Sequence, residues 1–309
     1  MKEKIRLLIV IEGPTASGKT ALSIAVAKYF DTVILSADSR QFYQEMSIGT
    51  AKPSINEMDG VKHYFIGSHS VKHGLTAATF AKEAREVLDY EFKFHPVVLL
   101  TGGSGMYLDA LCKGLDNVPV SPPHKAQLND EFRTTGLEPL LRELEAADPT
   151  HFSKIDQMNP MRVIRALEVI RSTGKPYSFF LKKNNTHADF DVLRFRIEHP
   201  REQLYERINQ RVDQMMRVGL LDEVRSLMTI RNASALKTVG YIELFDYLDQ
   251  KIPLDTAVDL IKQHTRNYAK RQLTWLKKNA DAHSIPFSTN EEMVNTILSI
   301  LRQLGKINQ

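Results

Sequence analysis

The sequence predicts an α/β protein, a parallel sheet core flanked by helices and interrupted by a helical insertion domain. Three observations predict it. Short, largely apolar runs rich in Val, Ile and Leu recur at Leu7–Ile11, Thr32–Ser36, Pro96–Leu100 and Val192–Glu198, as strands covered on both faces require. Two of these runs lead into glycine-rich turns followed by helix-like stretches, GPTASGKT at Gly13–Thr20 and TGGSG at Thr101–Gly105. Between the third and fourth runs, from about Lys125 to Leu181, every signal is helical.

The first turn fits G-x-x-x-x-G-K-[ST] over Gly13, Pro14, Thr15, Ala16, Ser17, Gly18, Lys19 and Thr20. Glycines let the backbone wrap an anion so that successive N–H groups point inward. The helix expected near Lys19 adds its positive N-terminal end. Lys19 then brings charge to an outer phosphate, and the Thr20 hydroxyl can ligate Mg²⁺. Strand-like LLIVI before the turn and helix-like ALSIAVAKYF after it argue against a chance match. The core is therefore of the P-loop type, and diphosphate is the common denominator of its ligands.

Composition narrows the class further. Net charge is +4 over 309 residues, so any nucleic-acid contact must come from local clustering. The single Cys112 excludes an internal disulfide and a cysteine-rich zinc site, which fits a reducing cytoplasm. Leu7–Ile11 is too short for a signal-peptide core or a membrane span, so no membrane association is expected.

Thr32–Ser36 delivers Ala37, Asp38, Ser39, Arg40 and Gln41 at its carboxyl end, where doubly wound sheets bind ligands. Asp38 there suits a helix N-cap, a Mg²⁺ ligand or a general base. Its polar neighbours, followed by Phe42 and Tyr43, favour a working site. Ile48–Pro53 has turn chemistry, His63–Ile66 is a short strand, and Thr76–Phe92 shows amphipathic helical spacing. No Asp follows Leu100, so the second Mg²⁺-anchoring motif of nucleotide hydrolases is missing. TGGSG is expected to let backbone approach a ligand before a helix begins near Met106.

Proline-rich Asn117–Pro123 marks a boundary. Within the insertion, Asn159-Pro160 starts a helix and Gly174 stops it, with Arg162 and Arg165 opposite its apolar positions. Further on, Leu204, Ile208, Val212, Met215 and Met216 form a stripe that reads as core, and Ala235–Tyr241 is a small-residue break. Ile261–Lys278 contains no acidic residue. Lys262, Arg266, Lys270 and Lys277 fall on one helical face, while Ile261, Thr265, Tyr268, Gln272 and Trp275 fall on another. A solvated basic face is the plain reading; without compensating acids, a polyanion partner is the better one. The expected organisation is a core of 1–119 and 190–285, an insertion of 120–189 and a C-terminal tail helix in 286–309.

Together these residues resemble one family, the bacterial tRNA dimethylallyltransferases without a zinc finger, also called tRNA isopentenyltransferases. The resemblance rests on GPTASGKT, S-x-D-S-R-Q-x-Y at Ser36–Tyr43, IGTAKP at Ile48–Pro53 and TGG-x-G-x-Y at Thr101–Tyr107. It continues through N-P-x-R-x-x-R-A-L-E at Asn159–Glu168, G-L-x-x-E-V at Gly219–Val224, VGY at Val239–Tyr241 and Lys270–Trp275. One phosphate loop is shared by many enzymes; this ordered set is not.

The resemblance implies transfer of a dimethylallyl group from dimethylallyl diphosphate to N6 of the adenosine beside the anticodon, in tRNAs reading codons that start with U. Pyrophosphate leaves, Mg²⁺ assists, and the phosphate loop holds the allylic diphosphate rather than a nucleotide. Residue roles follow the matched motifs. Asp38 corresponds to the general base, Lys19 and Lys237 to diphosphate-facing cations and Thr20 to the metal's neighbour. Ser39, Arg40 and Gln41 correspond to the adenine pocket. Ser104, Met161, Arg162, Arg165, Lys270, Arg271, Gln272 and Lys277 correspond to tRNA contacts, and the insertion to an anticodon-loop clamp. Departures occur where the family usually has Arg at Lys237, Thr at Ser104, Gln at Met161, Arg at Ile242 and a His pair at Lys62-His63. A cytoplasmic monomer is expected. A P-loop small-molecule kinase would explain the first half but not the basic helix. A nucleotide switch would need D-x-x-G or N-K-x-D, which are missing, and a transferase for free adenine nucleotides would leave the insertion's arginines without purpose.

Overall fold

The computed structural model describes residues 5–181 and 189–308. It divides into two compact units, Met1–Cys112 with His187–Gln309, and Lys113–Thr186. Residues 182–188 of the expected insertion lie outside the described residues.

The larger unit begins with β1 (Leu7–Glu12), α1 (Lys19–Phe30), β2 (Ile34–Ser36), α2 (Ile55–Met58), β3 (His63–Tyr64), α3 (Ala77–Glu91), β4 (Val97–Gly102) and α4 (Gly105–Lys113). The smaller unit holds α5 (Pro122–Thr135), α6 (Glu138–Ala147), α7 (Pro149–Phe152) and α8 (Pro160–Thr173). The chain then returns through β5 (Asp191–Glu198), α9 (Arg201–Arg217), α10 (Leu220–Ser226), α11 (Tyr241–Leu248), α12 (Leu254–Leu276), β6 (His283–Pro286) and α13 (Asn290–Gln303).

The six strands form one parallel sheet in the order β3-β2-β4-β1-β5-β6. Side chains alternate across a strand, so β1 feeds two apolar layers. Leu7, Ile9 and Ile11 pack with α1 and α13, through Leu22, Val26, Ile297 and Leu301. Leu8 and Val10 pack with α3 and α4, through Phe80, Leu88, Leu108 and Leu111. Burial on both faces explains why the strand reads as a continuous apolar run rather than an alternating one.

Charge at the carboxyl end of the central strands does what apolar packing does elsewhere. Glu12 is fully buried and pairs with Arg194 (3.1 Å) and Arg196 (2.9 Å) of β5. Arg196 also donates to the carbonyls of Leu276 and Asn279, so it anchors the end of α12 over the sheet. Removing both arginines would strand a buried carboxylate, a costly change, and removing one would leave it half paired.

The helix expected in 286–309 is present as α13, packed into the core rather than trailing from it. β6 pairs with β5, and α13 buries Met293, Ile297, Leu298 and Leu301 against the sheet. Its sequence HSIP is too short and polar to announce a strand, which is why β6 went unread. In the smaller unit α5, α6 and α8 close around Leu128, Leu144, Val163 and Leu167, and Arg171 of α8 bridges Glu131 and Glu143. Among the described residues no helix is long and apolar enough to cross a membrane.

Candidate active site

Between β1 and α1, Thr15–Thr20 line a cleft of about 340 Å³, while Gly13 and Pro14 lie buried at the base of the loop. Ala16 (φ 63°) and Gly18 (φ 89°) supply the left-handed turns that curl it. Lys19 donates from Nζ to the Pro14 carbonyl at 2.6 Å. Burial pushes its pKa down to about 8, with Asp38 opposing the shift and Arg211 adding to it. An anion bound in the cleft would raise that pKa again.

The loop is held from behind by residues distant in sequence. His199 donates from Nε2 to the Ser17 carbonyl (2.8 Å), and Arg207 from Nε to the Ala16 carbonyl (2.8 Å). The Phe287 ring stacks on His199 and lies under the Arg207 guanidinium. Gln272 accepts from Thr15 N at 2.8 Å and donates to Gly103 O at 3.0 Å. Expected to contact tRNA, Gln272 is instead buried, with both ends of its carboxamide engaged in stitching the two glycine-rich turns together.

Two further cations face the cleft. Arg207 and Arg211 sit four residues apart on α9 and so project from the same face. Burial lowers the pKa of Arg211, the charge of Arg207 adds to that, and Asp38 opposes it. The apolar stripe Leu204, Ile208 and Val212 is core, and a reading that follows it alone misses Arg207 and Arg211, which directly precede two of its residues at the edge of that face. The R-x-x-x-R spacing was the available signal.

A second cavity of about 90 Å³ meets the cleft, and Thr15, Asp38, Thr50, Ala51 and Arg211 line both. Beyond that junction its walls are half apolar, with Val212, Met215, Val239 and Ile261, and half polar, with Arg40, Thr265 and Tyr268. Asp38 accepts the Arg40 N–H on Oδ1 at 3.0 Å, a local turn bond. No helix starts there, so the N-cap reading falls. Arg40 itself donates to Ala235 O (3.2 Å). Ser39 and Ser104 share a hydroxyl contact at 3.1 Å, which the Tyr268 hydroxyl joins. Burial raises the Tyr268 pKa to about 12, helped by the Asp38 charge and opposed by Ser104, so it stays a donor. Tyr268 was not singled out from sequence, since it shares a helical face with core residues. Gln41 donates to the carbonyls of Thr50 and Ala51, both at 3.1 Å, and lines the cleft.

Other expectations change. The TGGSG turn serves two ends: Thr101 and Gly102 line the cleft, as expected of a backbone near a ligand, whereas a Cβ on Gly103 would lie 2.8 Å from Gly13 O and one on Gly105 would overlap the Trp275 ring. Lys237 is exposed and lines neither cavity, although its neighbours Thr238, Val239 and Gly240 line the second. On α12, Lys262 pairs with Asp213 of α9 (2.6 Å) and Arg266 donates to Asn209 (2.6 Å), so half of the basic face is spent against α9. Lys270, Arg271 and Lys277 remain exposed. In the smaller unit Met161 and Arg162 are exposed, whereas Arg165 pairs with the buried Glu168 (2.9 Å) and donates to Val118 O.

Comparison with known proteins gives the family. The IPP transferase family model matches residues 41–279. The tRNA dimethylallyltransferase of Cytophaga hutchinsonii is 45% identical over 277 residues, 89% of this chain and 91% of that one. The crystal structure of a tRNA delta(2)-isopentenylpyrophosphate transferase from Staphylococcus epidermidis aligns with a TM-score of 0.71 at 35% identity, covering 96% of this chain and 99% of that one. A structure of a eukaryotic dimethylallyltransferase acting on tRNA aligns with a TM-score of 0.80, covering 97% of this chain and 80% of that one. At 24% identity the last speaks to the fold alone. With identity of this order spread over nearly the whole length of both chains, this chain belongs to the tRNA dimethylallyltransferase family.

Proposed function

We propose that the protein transfers the dimethylallyl group of dimethylallyl diphosphate to the N6 amine of the adenosine beside a tRNA anticodon, releasing pyrophosphate. The observation that carries this reading is the junction at Asp38, where a cationic cleft meets a half-apolar cavity. The diphosphate lies in the cleft against the Thr15–Thr20 loop, Lys19, Arg207 and Arg211. Negative charge grows on pyrophosphate as the C–O bond breaks, and fixed cations and N–H groups stabilise that growth. The allylic carbon reaches the junction, and the adenine enters from the cavity side beneath Tyr268.

An amine conjugated to a purine is a weak nucleophile, so removing its proton during attack helps. Asp38, which lines both the cleft and the cavity and accepts the Arg40 N–H on Oδ1, is the carboxylate that would accept that proton. Proton uptake at Asp38 and departure of pyrophosphate then occur on opposite sides of the reacting carbon.

The donor set of the cleft fits Mg²⁺. Thr20, Asp38 and Glu57 offer hard oxygens there, and Mg²⁺ typically takes one or two protein oxygens together with substrate phosphates. Bound there, the ion would offset charge on the diphosphate, with Thr20 as its neighbour.

Reaching the acceptor amine requires turning a base out of the anticodon loop, at a cost of a few kcal/mol. Exposed Lys270 and Arg271 of α12 and the adjoining Lys277 are suited to hold backbone phosphates of the displaced loop, and exposed Met161 and Arg162 are the smaller unit's own candidates for RNA contact. The protein acts in the cytoplasm as a monomer. Labelled dimethylallyl diphosphate incubated with the protein, bulk tRNA and Mg²⁺ tests the reading. Label in tRNA is the expected result; ATP turnover with unlabelled tRNA would point to a kinase instead.

A further inference from the structure

Three sequence motifs have no part in the chemistry above: IGTAKP, G-L-x-x-E-V and VGY. The structure joins them. Glu223 of α10 accepts from the backbone N–H groups of Ser47 (2.9 Å) and Ile48 (2.7 Å) on one oxygen. The other oxygen accepts from Gly49 N (3.0 Å) and from the Tyr241 hydroxyl (2.7 Å). Tyr241 is fully buried at the start of α11, and burial, then the Glu223 charge, drive its pKa far upward, so it remains a donor. Its ring lies against Gly49 so closely that a Cβ there would sit 2.6 Å away. Four donors on one carboxylate make a rigid, charge-assisted bracket. From the other side Lys52 donates to the carbonyls of Tyr43 and Gln44.

What the bracket holds is a wall of the site. Gly49, Thr50 and Ala51 line the second cavity, and Thr50 and Ala51 also line the cleft at the junction with Asp38. Neither Glu223 nor Tyr241 lines either cavity, so any effect they have passes through this loop.

We propose that Glu223 and Tyr241 are positioning residues that press the Ser47–Ala51 loop against the reacting junction and so keep water from the allylic carbon. This rests on the transfer reaction proposed above. In that reaction the C1–O bond breaks, a C1–N6 bond forms and the N6 proton passes to Asp38. With the wall loosened, a water oxygen bonds to C1 instead. The same C1–O bond breaks, the water proton goes to solvent, and the products are a five-carbon allylic alcohol and pyrophosphate.

The experiment measures pyrophosphate released and dimethylallyl groups transferred in one reaction, for the unchanged chain, Glu223→Gln and Tyr241→Phe. The unchanged chain should release one pyrophosphate per group transferred. Glu223→Gln should release an excess, with KM for the allylic diphosphate raised about tenfold or more and KM for tRNA within about twofold, because lost charge-assisted bonds are of that size. Amide exchange at Ser47, Ile48 and Gly49 should quicken by a similar factor. Tyr241→Phe keeps the ring over Gly49 and should fall between the two. It carries the test if Glu223→Gln does not fold.

A one-to-one ratio and unchanged KM in a variant whose loop amides exchange faster would overturn the proposal, leaving the bracket structural. Should the unchanged chain transfer nothing to tRNA, the reaction itself fails and pyrophosphate affinity decides the bracket. About tenfold weaker binding in Glu223→Gln then supports it, and equal binding overturns it.

Discussion

Helices α9 and α12 lie side by side and carry similar numbers of cations, yet they use them in opposite ways. On α9, Arg207 and Arg211 line the phosphate cleft while Asp213 and Asn209 turn toward α12. On α12, Lys262 and Arg266 answer those groups, and exposed positive charge is kept by Lys270 and Arg271 in the later turns and by Lys277 at the C-cap. A helical stretch without acids, such as the part of α12 after Asp259, is therefore not a free cationic surface, because its partner can supply them. Conversely, a helix with a strong apolar stripe can carry working cations along the edge of that stripe. Charge arithmetic on one helix has meaning only once its neighbour is known.

The largest expected effect belongs to the residue that both α9 arginines surround. Asp38→Asn should fold, bind both substrates and lose about 10²–10⁴-fold in single-turnover transfer, the range for losing a general base. A rate equal to that of the unchanged chain would reduce Asp38 to its turn bond with Arg40. Next comes pH. With its pKa near 8 in the empty cleft, Lys19 is cationic below that value and neutral above it. Bound anion favours the charged form, so pyrophosphate affinity should fall as pH rises through 8, approaching about tenfold per unit for one linked proton. A titration series that is flat across pH 8 would separate Lys19 from the anion. The smallest effect concerns α12. Reversing the charges of Lys270 and Lys277 should lower the salt slope of tRNA binding by about 1.4–1.8, as for two phosphate contacts, whereas Lys262→Ala should barely move it. Equal slopes for the two would mean that the pair with Asp213 does not hold in solution.

How much of this was legible follows from where each signal resides. The phosphate loop is written in consecutive residues, because its function depends on its own backbone, and so are the strand ends that deliver Asp38 and Thr101. Arg207 and Arg211 were hidden by a reading that followed only the apolar face of α9. Gln272 looked like part of a basic recognition helix because nothing local reveals that Thr15 and Gly103 lie against it. The glycines of the β4 turn announced a close approach, and Gly102 does line the cleft, but nothing local showed that Gly103 and Gly105 are instead approached by the first loop and Trp275. Lys237 sits in a familiar pattern, yet the preceding turn leaves its side chain outside the cavities that Thr238–Gly240 line. Glu12, Arg194 and Arg196 were invisible for a similar reason, since β5 reads as an ordinary strand until its arginines find a buried partner.

The contrast between the two helices comes down to which cations see the diphosphate, and calorimetric titration of pyrophosphate with Mg²⁺ measures that most directly. Arg211→Ala removes a buried charge at the junction and should weaken binding about 10- to 150-fold, the range for a lost charge-assisted hydrogen bond. Lys262→Ala, one helix away and already paired, should stay within about twofold. Arg211→Ala binding as tightly as the unchanged chain, or Lys262→Ala weakened as much as Arg211→Ala, would contradict the assignment of the cleft to α9.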